Sequence, residues 1–160
     1  MSRLLGKMLT EELFDRLNGR DVGSRAGKAI VIVTVDEQGW SHPAMLSYTE
    51  VVAKDRSRID LAIGKSSTTA KNLRRTRKIT LLVTDSGLNY YVKGDVREIR
   101  ESMEAVSFMS LFRVEVEQLL EDLEPDALIT SGVTFSRPEK KEVNDLIEKI
   151  FQGVLKEPPG

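Results

Sequence analysis

From residue 29 to residue 116 the chain is a series of short β-patterned runs set between polar turns, with one short helical stretch among them. This spacing limits the possible folds more than any other feature. Residues 29–35 (AIVIVTV) are β-branched enough to read as a strand buried on both faces, and Asp36-Glu37-Gln38-Gly39 closes a hairpin behind it. Residues 42–53 supply the returning strand. Residues 58–63, 79–84, 90–99 and 106–116 alternate apolar and polar side chains, with turns at 54–57 and 85–87. The last of these runs places Val106, Phe108, Phe112, Val114 and Val116 on one face. Residues 126–135 form a weaker strand candidate, because Gly132 sits inside them. About six strands result, and parallel strands would each need a crossover helix that the chain lacks. The expected fold is mainly β, a six-stranded antiparallel barrel with flanking helices, formed as one domain over residues 1–160.

Helices are expected at both ends. In residues 9–17 Thr10 can act as an N-cap, and Leu13, Phe14 and Leu17 recur at helical spacing. Ser136-Arg137-Pro138-Glu139 has the form of a capping box, after which Val143, Leu146, Ile147, Ile150, Phe151, Val154 and Leu155 trace an apolar stripe as far as Pro158.

Composition narrows the chemistry. There is no cysteine, which excludes disulfides and thiolate chemistry and suits a reducing, cytoplasmic setting. The single histidine, His42, has no visible partners for a metal site, so no metal is expected. No run approaches the roughly 20 apolar residues of a membrane helix. The 24 basic and 25 acidic residues nearly cancel, and the cations are not interleaved with aromatics, so neither a membrane nor a nucleic-acid partner is expected. The carboxylates of residues 115–124 show no acid–base pairing and read as solvated surface.

The stretch most suggestive of chemistry is residues 63–78, IGKSSTTAKNLRRTRK. Four hydroxyl residues, Ser66, Ser67, Thr68 and Thr69, lie between Lys65 and Lys71 at the start of a short helix. Unpaired N–H groups and the positive end of the helix dipole favour a phosphate at such a place, with hydroxyls and lysine adding charge-assisted hydrogen bonds. The competing reading makes Ser66 or Ser67 a simple cap and the cations a solvated face, and composition alone favours it.

The order GWSHPAMLSY, DLAIGKSSTTAKNLRRTRKITLLV and YYVKGDVREI resembles the pyridoxamine 5′-phosphate oxidase-like family of FMN-binding split barrels over residues 28–116. By that resemblance the FMN phosphate would rest on Ile63, Gly64, Lys65, Ser66, Ser67, Thr68, Thr69, Lys71 and Asn72. His42, Pro43, Ala44, Met45, Leu46 and Ser47 would run under the isoalloxazine ring. Many members carry arginine and lysine where this chain has Thr68 and Thr69, and the C-terminal arginine segment of true pyridoxamine phosphate oxidases is replaced by a helix and KEPPG. The resemblance further implies a homodimer with flavin at its interface and an oxidoreductase passing hydride from a reduced nicotinamide to a small acceptor. No catalytic residue is assigned. The alternative is a non-catalytic protein that stores flavin or haem on the same barrel.

Overall fold

A computed structural model describes all 160 residues. Eight strands make one antiparallel sheet: β1 (Ser2–Gly6), β2 (Ala29–Val35), β3 (Ser41–Ser47), β4 (Val51–Ala53), β5 (Arg58–Gly64), β6 (Lys78–Asp85), β7 (Leu88–Arg100) and β8 (Met109–Asp122). Three α-helices accompany them: α1 (Glu11–Leu17), α2 (Thr68–Thr76) and α3 (Lys141–Lys156). The strand order is β3-β2-β6-β7-β8-β5-β4, with β1 beside β8. The two ends of this order, β3 and β4, are joined by only Tyr48, Thr49 and Glu50. The sheet therefore curls into an open half-barrel whose split lies between consecutive strands.

Curling comes from the long strands. β8 pairs β7 along one side, while its other side meets β5 from Met109 to Glu115 and β1 from Leu119 to Asp122. A bulge at Glu117, between the Lys93–Gln118 and Gly94–Val116 pairs, bends β8 against β7. Gly94 is needed at that bend because a side chain there would run into Val114 and the Glu115 carbonyl.

The interior is filled from the faces that alternate inward. Ile30, Ile32, Leu61, Leu81, Val92, Phe112 and Val114 are buried, and Leu13 and Leu17 of α1 join the same cluster. Thr10 caps α1 by accepting from the Leu13 amide at 3.1 Å, as its sequence predicts. A second cluster lies outside the barrel, where Ile150, Phe151 and Val154 of α3 pack on Val52, Ala62 and Leu111. Burying each such aliphatic side chain stabilises by about 1.5–3 kcal/mol, so α3 seals that flank.

Several expectations are corrected. Eight strands form where six were counted: β1 supplies one more, and the run through residues 42–53 breaks at Tyr48 into β3 and β4. The break comes where the Glu50 side chain accepts from the Ser47 amide at 2.7 Å, a local bond that replaces the ladder. β2 is buried on its inner face only, since Val31 and Val33 are half-buried and Val35 is exposed. The last strand starts at Met109, leaving Phe108 exposed, and runs on through the acidic segment. Leu119 is buried there, and Glu121 and Asp122 bind Arg3 and the Tyr91 hydroxyl.

Residues 126–135 are not a strand but a strap held by isolated bonds, Gly87 N–H to Ile129 O and Ala29 N–H to Val133 O, both 2.9 Å. Gly132 marks where the strap presses on the Thr84 backbone, too close for any side chain. The capping box at Ser136 is not used either. α3 begins five residues later behind Lys140, and Asn144 takes up the Pro138 and Lys140 carbonyls at 2.9 and 3.2 Å.

Candidate functional site

The fifteen residues singled out by sequence fall in two stretches, one along β3 and one from the end of β5 into α2. Ile63 and Gly64 end β5, Lys65–Ser67 turn the chain, and Thr68, Thr69, Lys71 and Asn72 belong to α2. Ser67 is the N-cap, its hydroxyl accepting from the Ala70 amide at 3.1 Å. That leaves the first-turn N–H groups of Thr68 and Thr69 without an acceptor in the helix. Ser66, Thr68 and Lys71 are exposed around them. None of the ion pairs includes Lys71, whereas Lys65 meets Glu101 at 3.2 Å.

Three other cations of this stretch, Arg74, Arg75 and Lys78, hold the fold. Arg74 clasps Glu98 at 2.6 Å and also donates to the Lys65 carbonyl and Ser110 hydroxyl. Glu98 is held below the usual carboxylate range, chiefly by that guanidinium. Arg75 donates to the Val35 carbonyl and Lys78 pairs with Asp95. Lys71 is thus the cation at the helix start that is left for an outside anion.

Asn72 does not join the cradle. Its side chain is buried, donating from Nδ2 to Thr34 Oγ1 at 3.0 Å, and Thr34 Oγ1 in turn contacts the His42 carbonyl at 3.4 Å. This chain of bonds fixes α2 over the start of β3. His42, Ala44 and Leu46 share the inner face of β3, while Pro43, Met45 and Ser47 lie on the other. The strand then runs about 17 Å at ~3.3 Å per residue from His42 to Ser47, away from the Asn72 anchor.

At its far end, at the barrel split, lies a cavity of about 530 Å³. One wall is Met45 to Glu50, and the others are the 3-10 turn at Val22–Arg25, the strap at Thr134 and Phe135, and Asn144, Ile147 and Ile150 of α3. Met45, Leu46 and Ser47 line it, whereas none of residues 63–72 does. Glu50 binds the Ser47 amide and hydroxyl through one oxygen, at 2.7 and 3.0 Å. Burial pushes the Glu50 carboxyl above its ordinary value, with the two Ser47 bonds opposing.

Beneath the cavity a charged network ties the shell together. Asp85 receives Arg16 and, at 2.5 Å, Lys28. Burial alone would raise its pKa, but Lys28, the Ser86 amide and Arg16 outweigh that and hold it at about 2. The Arg16 guanidinium also lies 5.9 Å from the centre of the Tyr48 ring, which faces the cavity.

Glu50, Tyr48, Arg25 and Arg137 were missed from sequence. Glu50 lay inside a run read as one continuous strand, and no local pattern brings residues 22–27 and 134–138 to the same place. Among the large aromatics, Trp40 is 73% exposed at the β2–β3 hairpin end, while the hydroxyls of Tyr90 and Tyr91 bind Glu12 and Asp122.

The chain is 31% identical over 144 residues to YclD of Bacillus subtilis, an uncharacterized protein, covering 90% of this chain and 94% of that one. No family model matches. Among solved structures, a variant of HupZ from Group A Streptococcus superposes with a TM-score of 0.57 at 17% identity, over 72% of this chain and 100% of that chain. A proposed pyridoxamine 5′-phosphate oxidase from Lactobacillus delbrueckii gives 0.57 at 16% identity, over 74% and 98%. No helix here is long and apolar enough to cross a membrane.

Proposed function

Since the chain belongs to one family with the Bacillus protein and has the pyridoxamine 5′-phosphate oxidase-like split-barrel fold, we propose that it holds FMN and acts as an oxidoreductase between a reduced nicotinamide and a small acceptor. The observation that carries this reading is the start of α2. There, two open N–H groups, the Ser66 and Thr68 hydroxyls and unpaired Lys71 form a donor set with net positive charge and no internal anion. Such a set fits a phosphoryl group.

In this reading Thr68, Thr69 and Lys71 hold the phosphate, and β3 from His42 to Ser47 lies along the ring. Ser67 acts through the cap, and Asn72 acts by fixing the helix to Thr34. When bound, FMN supplies the two-electron chemistry, and the protein contributes placement and control of water. The test is titration of the purified protein with FMN, followed by flavin fluorescence, and then steady-state NADH or NADPH oxidation. Binding with turnover above free flavin supports the reading; absence of binding overturns it. Binding without turnover would instead indicate a flavin or haem carrier, for which His42 is the single imidazole ligand available.

The reading includes a second copy of the chain. One row of cross-strand neighbours on the outer face of the sheet is apolar across six strands: Met45, Val31, Leu82, Tyr91, Leu120 and Leu4. Met45 and Leu4 are 65% and 62% exposed at its ends. A two-fold partner would cover this row as one self-complementary patch and bring a second β3 beside the flavin.

A further inference from the structure

The cavity at the barrel split carries more than the flavin reading needs. It combines apolar walls from Val22, Ala29, Leu46, Phe135, Ile147 and Ile150 with polar groups that the fold leaves unused. Arg25 makes no side-chain hydrogen bond or ion pair with the protein. Arg137 has a single long contact, 3.4 Å to the Gly23 carbonyl. Glu50 uses one oxygen on Ser47 and has no cation within ion-pairing distance, so its other oxygen is free. The Tyr48 hydroxyl makes no hydrogen bond within the chain, although the residue is buried and lines the cavity.

Unpaired guanidiniums on a cavity wall are sites for an anion, and they bind carboxylate or phosphate with two parallel bonds. A half-buried acid without a cation is costly unless something donates to it. Glu50 and the two arginines form no ion pair with one another, so an acceptor and a cationic pair stay separately open among apolar lining residues. The rest of the lining is too apolar to hold a strongly hydrated ligand.

From this geometry we infer that the cavity binds a small ring-bodied anion, with its acid group at Arg25 and Arg137 and a hydroxyl or amine at the opposite end donating to Glu50. That binding needs no flavin. Only its use as a flavin substrate, next to Met45 and Ser47, rests on the function proposed above.

The test is an amide chemical-shift titration of the full chain, first without FMN and then with FMN added to saturation. The probes are 4-hydroxybenzoate, benzoate, which lacks the distal donor, and 4-hydroxybenzyl alcohol, which lacks the charge. The expected result is shifts confined to the turn at residues 22–27, residues 47–50 and residues 134–150, with 4-hydroxybenzoate binding on the order of tenfold more tightly than either analogue, the factor set by one lost hydrogen bond or charge contact. Arg25→Ala together with Arg137→Ala should abolish the preference for the acid over the alcohol. Glu50→Gln keeps an acceptor for the Ser47 amide, so the fold survives, yet it should remove the preference for 4-hydroxybenzoate over benzoate. Absence of shifts up to about 10 mM, equal binding of all three probes, or preferences unchanged in the variants would overturn the inference. So would loss of the response on adding FMN, which would give the cavity to the flavin. Failure of FMN to bind at all would leave the probe result standing and would sink only the function proposed above.

Discussion

Arg113 and Asp60 face each other across β8 and β5 as a buried two-bond pair, with Nε to Oδ1 at 2.7 Å and Nη2 to Oδ2 at 2.8 Å. The same guanidinium donates to the Pro158 carbonyl at 2.6 Å, so one pair links two strands to the segment after α3. Breaking a buried pair from one side typically costs about 3–5 kcal/mol, and here Lys54, 3.9 Å from Asp60, compensates the remaining charge in part and sets the loss at the lower end of that range. Arg113→Ala is expected to lose stability on that scale in urea unfolding. The double change Arg113→Leu with Asp60→Leu should recover much of it. If Arg113→Ala costs under about 1 kcal/mol, the pair contributes little.

Asp85 sets a pH dependence. Its folded pKa of about 2 lies below the ordinary 3.8, so its bonds to Lys28 and Arg16 stabilise the protein above the unfolded value. That stabilisation is present at neutral pH and is lost as pH falls from about 4 through about 2. Asp85→Asn should lower stability at pH 7 and flatten the fall across this window, as followed by thermal melts at stepped pH. Parallel curves for the two proteins would mean that other carboxylates control the acid limb.

Lys71 and Asn72 are neighbours with different expected roles. Lys71→Ala should weaken FMN binding several-fold and leave the melting temperature unchanged, because the side chain is exposed and unpaired. Asn72→Ala removes the donor to the buried Thr34 hydroxyl and leaves it only its long contact to the His42 carbonyl, at a cost of about 1–3 kcal/mol. Its effect on FMN should be no larger than that loss of helix anchoring allows. Fluorescence titration and denaturation on both variants separate the two roles.

Met45 is the exposed end of the outer-face row, so changing it should not disturb the monomer. Sedimentation should show a dimer for the native chain and a monomer for Met45→Glu, because a carboxylate in a covered apolar patch must be desolvated. Identical sedimentation of the two proteins would place any interface elsewhere.

Gly132→Ala should destabilise the protein measurably although Gly132 lies in no regular element, because the strap touches the Thr84 backbone there. An unchanged melting temperature would show that the strap can shift away freely.

What the sequence determined by itself is whatever depends on near neighbours. Alternation in β6, the Thr10 and Ser67 caps, the turn at Asp36 and the apolar stripe of α3 all follow from period and local hydrogen bonding, so they were legible. By contrast β5, which alternates like a half-buried strand, is buried on both faces because Ala62 packs in the cluster with α3 and Asp60 pairs with Arg113. The antiparallel barrel class followed from the strand count and the absence of crossover helices, and its split form from the family resemblance. Tertiary structure decided what depends on distant partners. β1 is a strand because β8 offers it an edge, and residues 126–135 meet the sheet only through isolated bonds at Lys28, Ala29 and Gly87. Asn72 turned inward because Thr34 waits there, and Glu50 became part of a cavity because the sheet curls its two edges together at Tyr48 to Glu50. Local propensity specifies a segment's period, but a side chain's role is set by which segments the closed sheet brings beside it, and a linear pattern does not carry that information.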